Sequence, residues 1–245
     1  MDAEPNWPPE PLHVAVDVTV FTVDEGRLEV LLLRRPYPPF EGAWALPGTF
    51  SRPDETLDES PRRALAEKAG IEGVWLEQLS TYDRPARPGS PGRDPRGRVV
   101  SVTYLALVAA DRVTPRDGLA WWPVGALPGP LAFDHERMLA DGVQRLQAKT
   151  RYAAIAFQLL PEAFTLPELH AVYEAVLGEE LDVRNFRRDL FAAGVIEETG
   201  ETRRVGPGRP ARLYRHVPGG FAVDAVERRV AERIARAGGG PTPTG

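Results

Sequence analysis

Between Ala45 and Ile71 the chain keeps a register that constrains its fold more than any other feature. Ala45-Leu46-Pro47-Gly48 and Thr49 are followed by Glu55, Arg63, Glu67 and Gly70 at gaps of eight, four and three residues after Glu55. The first four residues read as a strand running into a loop, and Arg63 to Gly70 as a helix closed by a glycine C-cap. Positions 64, 67 and 68 lie three and four residues apart, so they share one face of that helix. Carboxylates at all three would gather the oxygen ligands that a hard cation such as Mg2+ needs. Only Glu67 supplies one. Ala64 has no lone pair to give, and the ammonium of Lys68 repels a cation at contact distance.

An ordinary amphipathic helix explains part of this segment. Thr56-x-x-Glu59 is a capping box, and Leu57, Leu65 and Ile71 are apolar. Pro61 removes a backbone donor and is expected to kink the helix. None of these features accounts for the long register from Glu55 to Gly70. Thr49-(x5)-Glu55-(x7)-Arg63-Ala64-Leu65-Ala66-Glu67-Lys68-Ala69-Gly70-Ile71 resembles the Nudix box, G-x5-E-x7-R-E-U-x-E-E-x-G-U with U apolar. Thr49 stands for the glycine, and Ala64 and Lys68 for two of the metal-binding glutamates. The resemblance implies an α/β/α sandwich descended from enzymes that cut nucleoside diphosphate linkages with divalent metal. The lost acids imply that catalysis has lapsed, and Mg2+ is expected only if residual hydrolysis survives.

The rest of the chain is read as mixed α+β. Val14 to Phe21 and Leu28 to Leu33 are β-branched or apolar runs joined by a turn at Asp24-Glu25-Gly26. Further strands are expected over Val74 to Tyr82, Val99 to Val108 and Trp121 to Val124, with a helix over Asp134 to Lys149. Trp121 and Trp122 should face opposite sides of their strand. His135, at the start of its helix, reads as structural. Residues 83–98 form a loop rich in proline, glycine and arginine. Absent cysteine excludes a disulfide framework, and no apolar run is long enough for a membrane span, so a cytoplasmic protein is expected.

From Arg151 the character changes. Tyr152 to Leu160 is a helical run, Thr165-x-x-Glu168 caps a helix ending at Gly178, and Asp182 caps another over Val183 to Ala193, closed by Gly194. Two strands and a polar hairpin follow. Three helices and a wing are the plan of a winged helix-turn-helix. Phe186, Leu190 and Ala193 should face its core, leaving Arg184, Arg187 and Arg188 on the other side with Asn185 nearby. Residues 182–215 hold eight arginines against five acids, a net +3, although the whole chain carries −5. Arginine forks suit phosphate or guanine, and Asn185 suits adenine. Arg203, Arg204, Arg209 and Arg212 place the same chemistry on the wing. The competing reading is a solvated basic face on a domain that binds another protein.

Together the halves sharpen the resemblance. Leu160-Pro161-Glu162-Ala163-Phe164-Thr165-Leu166, Asp182-x-Arg184-Asn185-Phe186-Arg187-Arg188 and Gly208-Arg209-Pro210-Ala211-x-Leu213-Tyr214-Arg215 resemble the Nudix-related transcriptional regulator (NrtR) family, as do Arg52-Pro53-Asp54-Glu55, Asp94 to Val102 and Leu131 to His135. That resemblance implies a homodimeric repressor of NAD-metabolism or related genes, with double-stranded operator DNA and an ADP-ribose-like effector as partners and no required cofactor. It covers an effector domain at 12–149 and a winged helix at 150–217; outside it, proline-rich 1–11 reads as a loose N-terminus, and 218–245 as a terminal amphipathic helix with Val226, Val230 and Ile234 at four-residue spacing, followed by a disordered tail. For the effector, Arg84, Arg93, Arg96 and Arg98 suit phosphates, and Trp44 or Phe50 suits a base. The same residues read equally well as a solvated loop and core aromatics. The alternative to a regulator is an active Nudix hydrolase of ADP-ribose or a related nucleoside diphosphate, which would need replacement acids. Glu72 and Glu77 are available, neither at the right spacing. A third reading, a scaffold that binds only proteins, predicts no nucleotide affinity.

Overall fold

The structure is a computed structural model that describes residues 12–88, 92–204 and 210–217. The N-terminal segment, Arg209 with the tip of the wing, and the expected terminal helix lie outside the described residues.

Strand β1 (His13–Asp24) organises the first half. It pairs antiparallel with β2 (Arg27–Arg34), antiparallel with β4 (Gly48–Phe50) and parallel with β6 (Val99–Leu107). Short β3 (Trp44–Ala45) and β7 (Leu119–Pro123) extend the sheet from β2, and β5 (Trp75–Tyr82) extends it from β6. Glu25 and Gly26 both have positive φ, which gives the two-residue β1–β2 loop the twist that antiparallel strands favour.

Side-chain alternation assigns the two faces. Val16, Val18 and Val20 of β1, with Val102, Tyr104 and Ala106 of β6, pack on Leu65, Ala69 and Ile71 beneath helix α1 (Glu59–Ala69). On the opposite face Phe21, Leu105 and Leu107 meet Met138, Leu139 and Leu146 of helix α2 (His135–Tyr152). Trp121 joins the first cluster and Trp122 the second, as period-two alternation requires. The α2 face also buries Asp17, Thr19, Ser101 and Thr103. This polar stripe leads to the candidate site. Helix α2 approaches it closely because Gly142 has no side chain: a Cβ there would stand 3.0 Å from the Thr19 hydroxyl.

Local signals around α1 are realised with two corrections. Thr56 and Glu59 exchange the reciprocal hydrogen bonds of a capping box, and Gly70 closes the helix with φ 68°. Pro61, however, falls in the first turn, where its missing N–H has no intrahelical partner to lose, so the expected kink has no cause. Leu57 precedes the helix and is exposed rather than packed.

The second half is a winged helix, again with one correction. Helix α2 runs through Tyr152, Ala153 is extended, and only a 3-10 segment follows at Ala154–Leu159 where a full helix is expected. Helix α3 (Leu166–Leu177) carries the complete Thr165–Glu168 capping box. Helix α4 (Val183–Ala193) is capped by Asp182, which accepts from the Asn185 N–H. The wing is β8 (Ile196–Arg203) against β9 (Ala211–His216), and Phe164 exchanges backbone hydrogen bonds of 2.9 and 2.8 Å with Tyr214. Phe164, Leu169, Leu190, Ala193 and Tyr214 form the winged-helix core. Val172 and Val176 of α3 instead enter the sheet–α2 core, so the two halves share packed surface.

Candidate functional site

The box helix is held to its loop by one arginine. Arg63 grips Glu55 with two hydrogen bonds, one of them 2.8 Å from Nη2 to Oε2. Its other N–H groups donate to the Phe50 carbonyl at 3.0 Å, Thr49 Oγ1 at 3.3 Å and Glu67 at 3.3 Å. Four of the box positions thus form a structural clamp. Arg63 holds the Glu55 carboxyl down at about 2, against an ordinary value of 4.5, because the ionised form accepts its hydrogen bonds. Glu55 binds its proton more weakly folded than unfolded. Its stabilisation is therefore complete above about pH 4.5 and is lost as pH falls towards 2. The stability gap between wild type and Glu55→Gln in urea melts should be clear near neutral pH and shrink steadily from about pH 4.5 towards pH 2; an unchanged gap would show that the clamp does not depend on that charge.

The remaining box positions do not fit a divalent metal. Ala64 is fully buried, and Glu67 is turned outward towards Arg63 and Arg52. Lys68 reaches back across the loop and donates its Nζ to the Gly48 carbonyl. An oxygen facing the box helix is thereby covered by an ammonium. The alternative acids are no better placed: Glu77 is engaged by Arg145 and Lys149, and among the described residues no group of three or more His, Cys, Asp or Glu side chains stands ready to hold a metal ion.

Beside Gly48 lies a buried polar knot. Asp17 accepts from Ser101 at 2.5 Å and lies 3.7 Å from Arg93 and 3.5 Å from His135 Nε2. Arg93 also forks onto Asp134 at 2.9 and 3.3 Å. His135 Nδ1 accepts the Leu46 N–H at 2.9 Å, which places the ring proton on Nε2 towards Asp17. Burial pushes the His135 pKa down, keeping the imidazole neutral. Its position is structural, as its sequence context suggests.

The expected effector residues separate into different environments. The guanidinium of Arg93 is spent within the knot. Arg98 pairs with Asp83 at 2.7 Å near the surface. Trp44 packs edge-on against Trp122 with ring centroids 5.5 Å apart, on the margin of the core. Arg84 lines a cavity of about 450 Å3 with Tyr82, Phe133, Asp134 and Arg137. Arg96, forked onto buried Asp94 at 3.0 and 2.6 Å, lies over both Phe50 and Phe133.

Sequence reading missed three members of this neighbourhood. Arg35 sits 4.7 Å from the Phe133 ring centre, and Phe40 meets Phe133 edge-on at 4.8 Å. Phe40 and Phe133 have φ of 60° and 57°, a left-handed conformation that bulky residues rarely adopt. No sequence signal marks Arg35 or Phe40, whereas Phe133 lies within the family-like run Leu131 to His135. The lone acid Asp17 inside an apolar strand run was the available clue to the knot.

In the winged helix, Arg184, Arg187 and Arg188 are exposed along one face of α4, and Asn185 is half-buried beside them. Arg188 is forked onto Asp189, whereas Arg184 and Arg187 make no ion pair among the described residues. Arg187 and Arg212 line a groove of about 290 Å3 together with Leu166, Pro167, Thr202 and Pro210. Arg212 also pairs with Glu198 at 3.0 Å, and Arg203 ties the wing to Glu168 of the α3 capping box. Arg204 is exposed at the end of β8.

A Nudix sandwich whose box has lost acids, joined to a winged helix with a basic helical face, defines a class of Nudix-related DNA-binding proteins. Comparison with known proteins agrees. The NUDIX domain family matches residues 11–142 and the NrtR DNA-binding winged helix domain matches 156–216. The ADPR responsive transcriptional repressor NtrR of Acinetobacter baylyi is 40% identical over 84% of this chain and 82% of its own length. The crystal structure of Shewanella oneidensis NrtR complexed with a 27mer DNA superposes with a TM-score of 0.74 at 36% identity, covering 84% of this chain and 94% of that one. The ADP-ribose pyrophosphatase of Methanocaldococcus jannaschii is 33% identical over 53% of this chain and 73% of its own length. The chain belongs to the NrtR family of Nudix-related transcriptional regulators.

Proposed function

We propose that this protein is a transcriptional repressor that binds duplex operator DNA through α4 and the wing, and that ADP-ribose or a similar nucleotide binds its Nudix domain uncut and alters DNA affinity. The observation that carries this reading is the pairing of two features in one chain: Lys68 on the Gly48 carbonyl where the box calls for a glutamate, and Arg184 and Arg187 exposed on α4 with no ion pair among the described residues. The first opposes metal-dependent cleavage; the second offers free forks to phosphates and base edges. The family relationship and the repressor named above support the same direction.

Two copies on a palindromic site complete the proposal, since two-fold protein symmetry is mirrored in the operator. The protein then acts in the cytoplasm on genes of NAD or related nucleotide metabolism. For ADP-ribose to switch it, the ligand must bind the DNA-competent and released states with affinities that differ by about 1–3 kcal/mol. A gel-shift titration on the DNA upstream of its own gene, with and without ADP-ribose, while AMP release is assayed, tests all of this. A specific shift altered by intact ADP-ribose is expected. No shift, with AMP accumulating, would replace the repressor with a hydrolase.

A further inference from the structure

The region around Gly48 collects more positive charge than its acids neutralise. Lys68 and Arg35 are both half-buried, and neither makes an ion pair among the described residues. Lys68 donates to the Gly48 carbonyl; Arg35 donates to the Pro39 carbonyl at 2.8 Å and the Tyr37 carbonyl at 3.5 Å, and lies against Phe133. Arg96, anchored by Asp94, lies 5.7 Å from the centre of the same Phe133 ring and 5.1 Å from that of Phe50. Burial lowers the Lys68 pKa, with Asp17 opposing and Arg35 adding to the shift; burial lowers that of Arg35, with Arg96 adding and Asp94 and Asp17 opposing. Each of these cations therefore destabilises the next. Carbonyl oxygens and ring faces do not cancel a full charge, and Asp17 and Asp94 already bond Ser101 and Arg96, so among the described residues neither Lys68 nor Arg35 has a carboxylate in contact.

The walls state what else the anion carries. Phe40, edge-on to Phe133, and Phe50, beside Arg96, are 44% and 40% exposed, and Phe40 and Phe133 are turned into place by left-handed backbone. Such conformations are costly for bulky residues and persist where surrounding structure enforces them. Flat, accessible rings next to clustered cations suit a ligand with an aromatic base and a short chain of negative charge.

We propose that Lys68, Arg35 and Arg96 act as protein-supplied cations that hold a nucleoside diphosphate against Phe40, Phe50 and Phe133 with no divalent metal. Lys68, anchored on the Gly48 carbonyl, presents its charge to the diphosphate. This rests on the effector reading above and goes beyond it by naming the residues and the metal independence. The loss of the box acids is then one half of a substitution whose other half is Lys68: carboxylates that recruited a cation have given way to a cation built into the chain.

The test is calorimetric titration of ADP-ribose into the full-length protein, once in EDTA and once in Mg2+. Wild type should bind with affinities within about threefold of each other. Lys68→Met should weaken binding by roughly 10- to 100-fold in EDTA, the effect of deleting one charge-assisted hydrogen bond to phosphate. Arg35→Gln should behave alike, guarding against misfolding of either variant, and melting temperatures will show that both are folded. Lys68→Glu should bind only when Mg2+ is present. Wild-type binding that requires Mg2+, or full-strength binding by both Lys68→Met and Arg35→Gln, would overturn the proposal and leave the effector reading standing. No binding by wild type in either buffer, with DNA binding intact, would overturn the effector reading itself.

Discussion

Arg184→Ala combined with Arg187→Ala should remove specific DNA binding. These side chains project from α4 without an intramolecular ion pair among the described residues, so their forks need no release from a partner before meeting DNA. A good bidentate contact to a base is worth about 1–3 kcal/mol, or roughly 5- to 150-fold in affinity, and two such losses at separate positions approximately add. Arg212→Ala should do less, because its guanidinium also serves Glu198 across the wing. The salt dependence separates the roles. A residue that contacts only phosphate should lower the slope of log affinity against log salt by about 0.9 and weaken all sequences alike, whereas a base-reading residue should relax preference at one position. Fluorescence anisotropy with operator and scrambled duplexes at several salt concentrations measures both. A double variant that still binds operator within about threefold of wild type would remove α4 from the interface and favour the protein-binding reading.

What sequence conveys about this protein follows the range of each signal. Caps are local, and Thr56 with Glu59, Thr165 with Glu168, and Asp182 with Asn185 all form as their spacing demands. The alternation of Val16, Val18 and Val20 with Asp17 and Thr19 is equally local, and it separates the apolar α1 face of β1 from its polar, α2-facing stripe. The parallel pairing of β1 with β6 is not local; it joins residues more than eighty positions apart through an alternation common to both strands but specific to neither. Arg93 illustrates the same limit at the site. Nothing in the loop distinguishes it from Arg84, Arg96 or Arg98, yet its distant partners Asp17 and Asp134 draw it inside. Phe40 and Phe133 run against propensity, since left-handed backbone favours glycine and asparagine, and only tertiary packing selects it there. Lys68 was legible as a lost ligand. That its ammonium reaches Gly48, twenty residues back, depends on how β4 lies against α1.

Val176→Asp should separate the two halves of the molecule. Along α3 a single apolar stripe at three- and four-residue spacing runs from Leu169 in the winged-helix core to Val172 and Val176 in the core shared with Phe21 and Leu146. Tyr173 touches both clusters and meets Phe186 of α4 edge-on at 5.2 Å. Packed side chains thus connect the underside of the sheet to the arginine-bearing helix α4. Val176 is wholly buried, and a carboxylate there has no partner, so the substitution costs on the order of 4 kcal/mol. Most of that cost falls on docking rather than on either core, because the winged helix keeps Phe164, Leu169, Leu190 and Tyr214 and the sandwich keeps both faces of its sheet. Calorimetry should therefore resolve two unfolding transitions for the variant and one for wild type. The functional consequence is larger: α4 should still bind operator within a few-fold, while ADP-ribose bound to the sandwich should no longer change that affinity, because the packed surface that makes the two states unequal is gone. If the variant instead melts in one cooperative step at lower temperature and keeps its full response to ADP-ribose, the stripe is ordinary core and the signal travels by another route.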